Sequence, residues 1–94
     1  MIEIVTFSLK AEGDETAFCA ANETVQQGFF YAQPGLLRRT AARSSESQWA
    51  VLTYWDGAES ADNADRKSSF PADFDNVAVH IDLSTLTRAR YEEL

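Results

Sequence analysis

Trp49-Ala-Val-Leu-Thr-Tyr-Trp-Asp-Gly57 is an aromatic run that breaks into the start of an acidic helix. Its residues alternate as a strand does, with Trp49, Val51 and Trp55 on one face and Ala50, Leu52 and Tyr54 on the other. Asp56-Gly57 stops the alternation, and Ala58, Ala61, Ala64 and Asp65 carry on at helical spacing. Just upstream, Gln33-Pro34-Gly35 opens a second strand that runs from about Leu36 to Arg43. Ser44-Ser45-Glu46-Ser47 then joins the two strands as a hairpin loop by composition, without the Asn-Gly pair that would fix its turn type.

Working outward, residues 2–9 alternate as a first strand, with Val5, Phe7 and Leu9 on one face and Ile2, Ile4, Thr6 and Ser8 on the other. Asp14 is placed to cap a helix, since its carboxylate can accept the first free backbone N–H groups. Phe18, Ala21, Val25, Phe29 and Ala32 follow at spacings of three and four, an amphipathic helix that Pro34-Gly35 ends. After the aromatic strand, Lys67-Ser-Ser-Phe-Pro71 interrupts the second helix, because Pro71 disfavours helical geometry at Phe70. Residues 74–82 read two ways: Val77, Val79 and Ile81 alternate like a strand, whereas Phe74, Val77, Ala78 and Ile81 fit a helix. The helix is preferred, because residues 83–92 then supply a separate last strand. The order β-α-β-β-α-β over residues 1–94 predicts one ferredoxin-like α+β domain, a four-stranded antiparallel sheet with both helices on one face.

That arrangement has a consequence for assembly. Helices cover only one side of such a sheet, yet the first and third strands are apolar on both. The uncovered side would be a large apolar patch of a kind monomers rarely expose, which predicts a homodimer joined sheet to sheet. Of the eight basic residues, five (Arg38, Arg39, Arg43, Arg88 and Arg90) fall on the two expected edge strands. Edge protection explains them most simply; the functional alternative is that one or two reach an anionic ligand or a carboxylate.

Composition narrows the partners. A chain of 94 residues, 45% apolar with six Phe, three Tyr and two Trp, can build one packed core. At this size only roughly 60–65% of the unfolded surface is buried, so a partner subunit helps. A net charge of −7 argues against nucleic acid and against an anionic membrane surface. No apolar run nears the ~18 residues of a membrane span, and Met1-Ile-Glu-Ile-Val5 lacks the basic start and apolar block of a signal peptide, which predicts a cytoplasmic protein. The single cysteine, Cys19, excludes an internal disulfide or a multi-cysteine zinc site and reads as a small buried hydrophobe on a helix. One histidine among scattered carboxylates does not make a metal-ligand cluster, so no metal is expected.

The chain resembles the dimeric α/β-barrel superfamily, nearest to its antibiotic-biosynthesis-monooxygenase-like members. The resemblance rests on Phe7-Ser-Leu-Lys-Ala-Glu-Gly13 closing the first strand and on Pro34-Gly35-Leu36 after the first helix. Thr53-Tyr-Trp-Asp56 before an Ala-rich acidic helix and the closing Arg88-Ala-Arg-Tyr91 complete it, so that it spans essentially the whole chain. It implies ferredoxin-like subunits whose sheets pair into a barrel, with pockets between sheet and helices. It also implies a range of activities: cofactor-independent monooxygenases of phenolic or quinol substrates, haem-degrading enzymes and small isomerases. Haem-degrading relatives carry an Asn on the first strand, a Trp on the second helix and a His near its end. This chain has Thr6 and Phe7 on the strand, no Trp on the helix, and only His80 near a matching place. Polyketide-oxidising relatives use Asn, Trp, Tyr and Arg, for which Asn63, Tyr54 and the arginines could stand in, again without the helical Trp.

Within that frame His80 is the side chain that titrates nearest neutrality and the default base, although a helix-end histidine with a satisfied hydrogen bond is the plainer account. Tyr54 is the candidate phenol donor, with Tyr91 a further one. Phe7, Phe29, Trp55, Phe70 and Phe74 can converge between sheet and helices, as core or as the wall of a substrate pocket. Glycine-rich phosphate loops, nucleotide fingerprints and serine-nucleophile motifs are absent. Two functions follow: a cofactor-free monooxygenase of a small aromatic or quinol-type substrate, or a non-catalytic dimer that binds a small apolar ligand or serves in a stress response. Neither calls for a flavin, a nicotinamide or a metal.

Overall fold

The computed structural model describes residues 1–68 and 72–94. Strand β1 (Ile2–Leu9) leads to α1 (Glu15–Gly28) and a short 3-10 turn at Phe30–Ala32; β2 (Leu36–Arg43) and β3 (Gln48–Trp55) form the hairpin. Helices α2 (Ala58–Ser68) and α3 (Ala72–Ala78) precede the last strand, β4 (Ile81–Tyr91). The four strands pair antiparallel in the order β2-β3-β1-β4, with the helices on one face, which is the ferredoxin-like α+β fold. The expected bounds of β1, β2 and β3 match. Among the described residues no helix is long and apolar enough to cross a membrane.

Local chemistry accounts for the boundaries. Asp14 Oδ1 accepts from the Ala17 N–H at 3.1 Å and caps α1 as expected. The helix stops at Gly28 rather than running to Ala32. Glycine is a poor helix former, and the Phe29 N–H makes the last bond to the Val25 carbonyl before the chain tightens into the 3-10 turn. Gly35 sits at φ +85, in the left-handed region, and a Cβ there would run into the Ser60 hydroxyl and lie 2.5 Å from Asp56 Oδ1. In the hairpin the Ser44 hydroxyl accepts from the Glu46 and Gln48 N–H groups at 3.2 and 3.1 Å, so a serine performs the turn-closing role that Asn-Gly would have signalled. The ambiguous stretch divides: helix to Ala78, a turn at 79–80, and β4 from Ile81, two residues earlier than expected. The expected break at Pro71 lies outside the described residues.

Register sorts every strand residue to a face. Toward the helices point Glu3, Val5 and Phe7 of β1, opposite Thr53, Val51 and Trp49 of β3. Phe7, Phe18, Trp49, Val51 and Ile81 form one buried cluster, and Trp55 with Ala61 and Ala64 of α2 forms a second. Small side chains at 61 and 64 let α2 lie directly on the indole. Away from the helices point Ile2, Ile4 and Thr6, opposite Tyr54, Leu52 and Ala50. Cys19 is exposed on α1, not buried, because the buried stripe of that helix is the one through Phe18 and Val25.

Candidate functional site

A row of polar residues crosses the helix-facing side of the sheet. The register places Arg39 of β2 opposite Thr53 of β3, Thr53 opposite Glu3 of β1, and Glu3 opposite Arg90 of β4. Period-two alternation therefore puts a buried carboxylate and a buried hydroxyl, Glu3 and Thr53, on the same face as the aromatic core. Above this row lies a cavity of about 270 Å³ between the sheet, α1, α2 and α3.

The walls of the cavity are aromatic. Phe29, Phe30 and Phe74 meet edge to face, with ring centroids 5.0 to 5.8 Å apart. Phe18 packs against Phe7 and Trp49 at 5.7 and 5.0 Å. Trp55, 2% exposed, also lines the space, and its indole Nε1–H has no hydrogen-bond partner among the described residues.

Two arginine systems bound the cavity, and they differ in kind. At the β4 end Arg88 donates to Glu3 at 2.8 Å and to Asp65 at 2.6 Å, while Arg90 donates to Glu3 at 3.0, to Asp65 at 3.0 and to Asp62 at 2.7 Å. Burial by itself would lower Arg88, but its bonds to Glu3 and Asp65 outweigh that and hold it above its ordinary value. Bonds to Asp62 and Glu3 do the same for Arg90. Two guanidinium groups are thus shared among three carboxylates, each of which has an arginine partner. At the β2 end Arg39 donates to the amide oxygens of Gln26 and Asn22, both at 3.0 Å, and its guanidinium lies 4.4 Å from the centroid of the Phe30 ring. Burial pushes it down to about 10, with Tyr31 weakly opposing, and its Nε–H is buried without a partner among the described residues.

The residues expected to form a site are therefore partly assembled. Phe7, Phe29, Trp55 and Phe74 line the cavity together, whereas Phe70 lies outside the described residues. His80 does not line it. The histidine occupies the turn before β4, where its ring stands edge to face with Phe18 at 6.5 Å and its carbonyl accepts from the Lys10 N–H. Tyr54 is on the opposite face of the sheet, between Ile2 and Arg38, because it is one residue out of phase with Thr53 and Trp55. The structure therefore does not bring His80 and Tyr54 together, and neither lines this cavity. Tyr91, paired with Ile2, shares the outward face.

Glu3 and Thr53 are the polar residues that sequence reading passed over, and it places Arg39 only among five edge-strand arginines. The signal was present, since each shares parity with an inward apolar residue of its own strand. No group of three or more His, Cys, Asp or Glu side chains that could hold a metal is present among the described residues.

The sequence matches no family model and no curated protein. In three dimensions the chain is similar to the cofactor-independent oxygenase SnoaB from Streptomyces nogalater, with a TM-score of 0.82 over 99% of this chain and 91% of that one at 16% identity. It is similar to a protein of Nitrosomonas europaea named as a candidate antibiotic biosynthesis monooxygenase, with a TM-score of 0.80, 18% identity, and 99% and 97% of the two chains covered. A conserved protein from Methanosarcina mazei matches with a TM-score of 0.75, 18% identity, and 97% and 92% coverage. The fold expected from the sequence is thus the fold of the antibiotic-biosynthesis-monooxygenase-like structures.

Proposed function

We propose that the chain is a small cofactor-independent monooxygenase acting on an aromatic substrate of phenol or quinol type, bound in the cavity between sheet and helices. The observation that carries this reading is an aromatic-walled space of about 270 Å³ lined by Trp55, whose buried indole N–H is unpaired among the described residues. A buried donor without an acceptor is costly, and a substrate oxygen would relieve it. In such chemistry the substrate itself supplies the electrons to dioxygen. One oxygen atom enters the substrate, converting an activated ring CH₂ into a carbonyl, and the other leaves as water with the two hydrogens. The protein's part is to hold the ring, exclude bulk water and present donors to the oxygen of the substrate. The likeness to oxygenase structures at 16–18% identity supports the fold that such a site needs.

A second reading, a dimer that binds a small apolar ligand without turning it over, is favoured by one specific feature. The carboxylates at the cavity, Glu3 and Asp65, are both bound by Arg88, and His80 stands outside, so no evident general base faces the ligand among the described residues. Oxygen uptake separates the two. With a panel of naphthols and anthrones, the enzyme reading expects one dioxygen consumed per product, insensitivity to chelators, and at least a tenfold loss in a Trp55→Phe variant. His80→Ala is expected to keep turnover within about twofold, given where its ring lies. Binding of these compounds with no uptake would leave the binding protein.

A sheet-to-sheet homodimer belongs to the same proposal. Ile2, Ile4, Ala50, Leu52 and Tyr54 form a continuous outward surface that the chain's own helices leave uncovered.

A further inference from the structure

Among the described residues that line the cavity, Arg39 and Arg88 are the cations, and Arg39 alone has no carboxylate within ion-pair distance. Its terminal nitrogens are occupied by neutral amide oxygens, those of Asn22 and Gln26, and its Nε–H is buried and unpaired. Trp55 adds a second buried donor without an acceptor. Both belong to adjoining positions of the sheet floor: Arg39 is opposite Thr53, and Trp55 is the next residue of β3 on that face. A group that satisfies two N–H donors must be an acceptor. One that also balances an uncompensated buried guanidinium must be anionic. The rings of Phe29, Phe30 and Phe74 supply flat apolar walls for the remainder of such a molecule.

We infer that the cavity takes a planar aromatic ligand carrying an anionic oxygen, and that Arg39 and Trp55 hold that oxygen and set the site's preference for charge. The inference rests on the ligand site proposed above and deepens it. A phenol held as its phenolate is the electron-richer form, the one better able to pass an electron to dioxygen. At the β4 end the carboxylates Glu3, Asp62 and Asp65 outnumber by one the arginines that hold them, Arg88 and Arg90, so the preference for an anion falls to Arg39. Glu3 of β1 and Asp65 of α2 accept from Arg88 of β4, α1 contributes the amides Asn22 and Gln26, and Tyr31 stands on the 3-10 turn beside Arg39. Against an overall charge of −7, a half-buried guanidinium bound only by neutral amides is the more telling.

Two probe sets test it on the full chain. In the first, 4-nitrophenol is titrated in the presence of excess protein and followed by its phenolate absorption; its apparent pKa should fall by about one unit or more. In the second, calorimetry compares 2-naphthoate with 2-naphthamide, and the carboxylate should bind at least about tenfold more tightly, the equivalent of one such unit. Arg39→Gln, checked for native circular dichroism, should abolish both preferences and weaken 2-naphthoate more than 2-naphthamide. Arg39→Lys keeps the charge without the planar fork and should recover part of them. Should the glutamine variant not fold, Trp55→Phe gives the second handle and should weaken 2-naphthoate more than 2-naphthamide. A shift for the phenol alone identifies a phenolate ligand, and a preference for naphthoate alone identifies a carboxylate. Equal binding of the naphthalene pair together with an unshifted 4-nitrophenol overturns the inference. Oxygen uptake without any charge preference would sink the anion site and leave the oxygenase standing; charge preference without uptake would do the reverse.

Discussion

Arg39 shows how one residue can be unfavourable for the fold and favourable for a site. Burial disfavours the charged form and pushes its folded-state value down from the ordinary arginine range to about 10. A difference of that size corresponds to roughly 3 kcal/mol. The sign follows from proton binding. Below pH about 10 both folded and unfolded chains carry the proton, so the full cost is present at neutrality. Above about 10, and up to the ordinary arginine range, the unfolded chain binds a proton that the folded one lacks, and stability rises with pH. Arg39→Gln, which keeps a donor for Asn22 or Gln26, is therefore expected to stabilise the protein at pH 7 by about 1–2 kcal/mol in urea unfolding. That advantage should shrink as the pH passes 10. A lower urea midpoint than the parent at pH 7 would mean that the two amide hydrogen bonds outweigh burial. Glu3 is the contrasting residue, equally inward but bound by Arg88 and Arg90, so its charge is compensated within the fold.

At the scale of elements, the β2–β3 hairpin sets the site, because Arg39, Thr53 and Trp55 all lie on it and a slip of one residue would turn them outward. Its loop is held by the Ser44 hydroxyl and closes through Ser47, which sits at φ +64 without being a glycine. A left-handed conformation costs a non-glycine residue about 1 kcal/mol. Ser47→Gly is accordingly expected to raise stability by about 0.5–1 kcal/mol, read as an upward shift of the thermal midpoint with no change in ligand affinity. A neutral or destabilising result would show that the flexibility glycine adds to the unfolded chain cancels the relief. Helix α1 matters for a different reason. Its register carries Asn22 and Gln26 toward β2, where they hold the guanidinium, while Phe18 and Val25 fix the helix to the sheet.

For the molecule as a whole, the sheet divides two tasks. The inner face carries the cavity and the polar row, and the outer face carries Ile2, Ile4, Leu52 and Tyr54, all half-buried. The proposed dimer would cover that outer face. Leu52→Asp, at its centre, introduces a charge that a sheet-to-sheet interface cannot solvate. Sedimentation at micromolar concentration should give a dimer for the parent and a monomer for the variant. A monomeric parent refutes the assembly outright, and a dimeric variant moves the interface elsewhere.

The sequence by itself determined the strands, their order and their faces, because alternation, the Asp14 cap and the Pro34-Gly35 turn are local signals with local causes. It also determined which aromatics could converge, since Phe7, Trp55 and Phe74 lie on the inward face of an element and Phe29 caps the end of α1 beside them. Whether they would close into core or leave a cavity was decided only by tertiary packing, which depends on how α2 and α3 sit over the sheet. The same holds for the polar groups. Tyr54 and His80 were the natural choices by chemistry, yet parity turns one outward and the turn before β4 places the other beside Phe18, off the cavity. Arg39 looked like one edge-strand charge among five. That Asn22 and Gln26 rather than a carboxylate would meet it is a fact of α1 crossing β2, and no local pattern in the chain encodes a crossing.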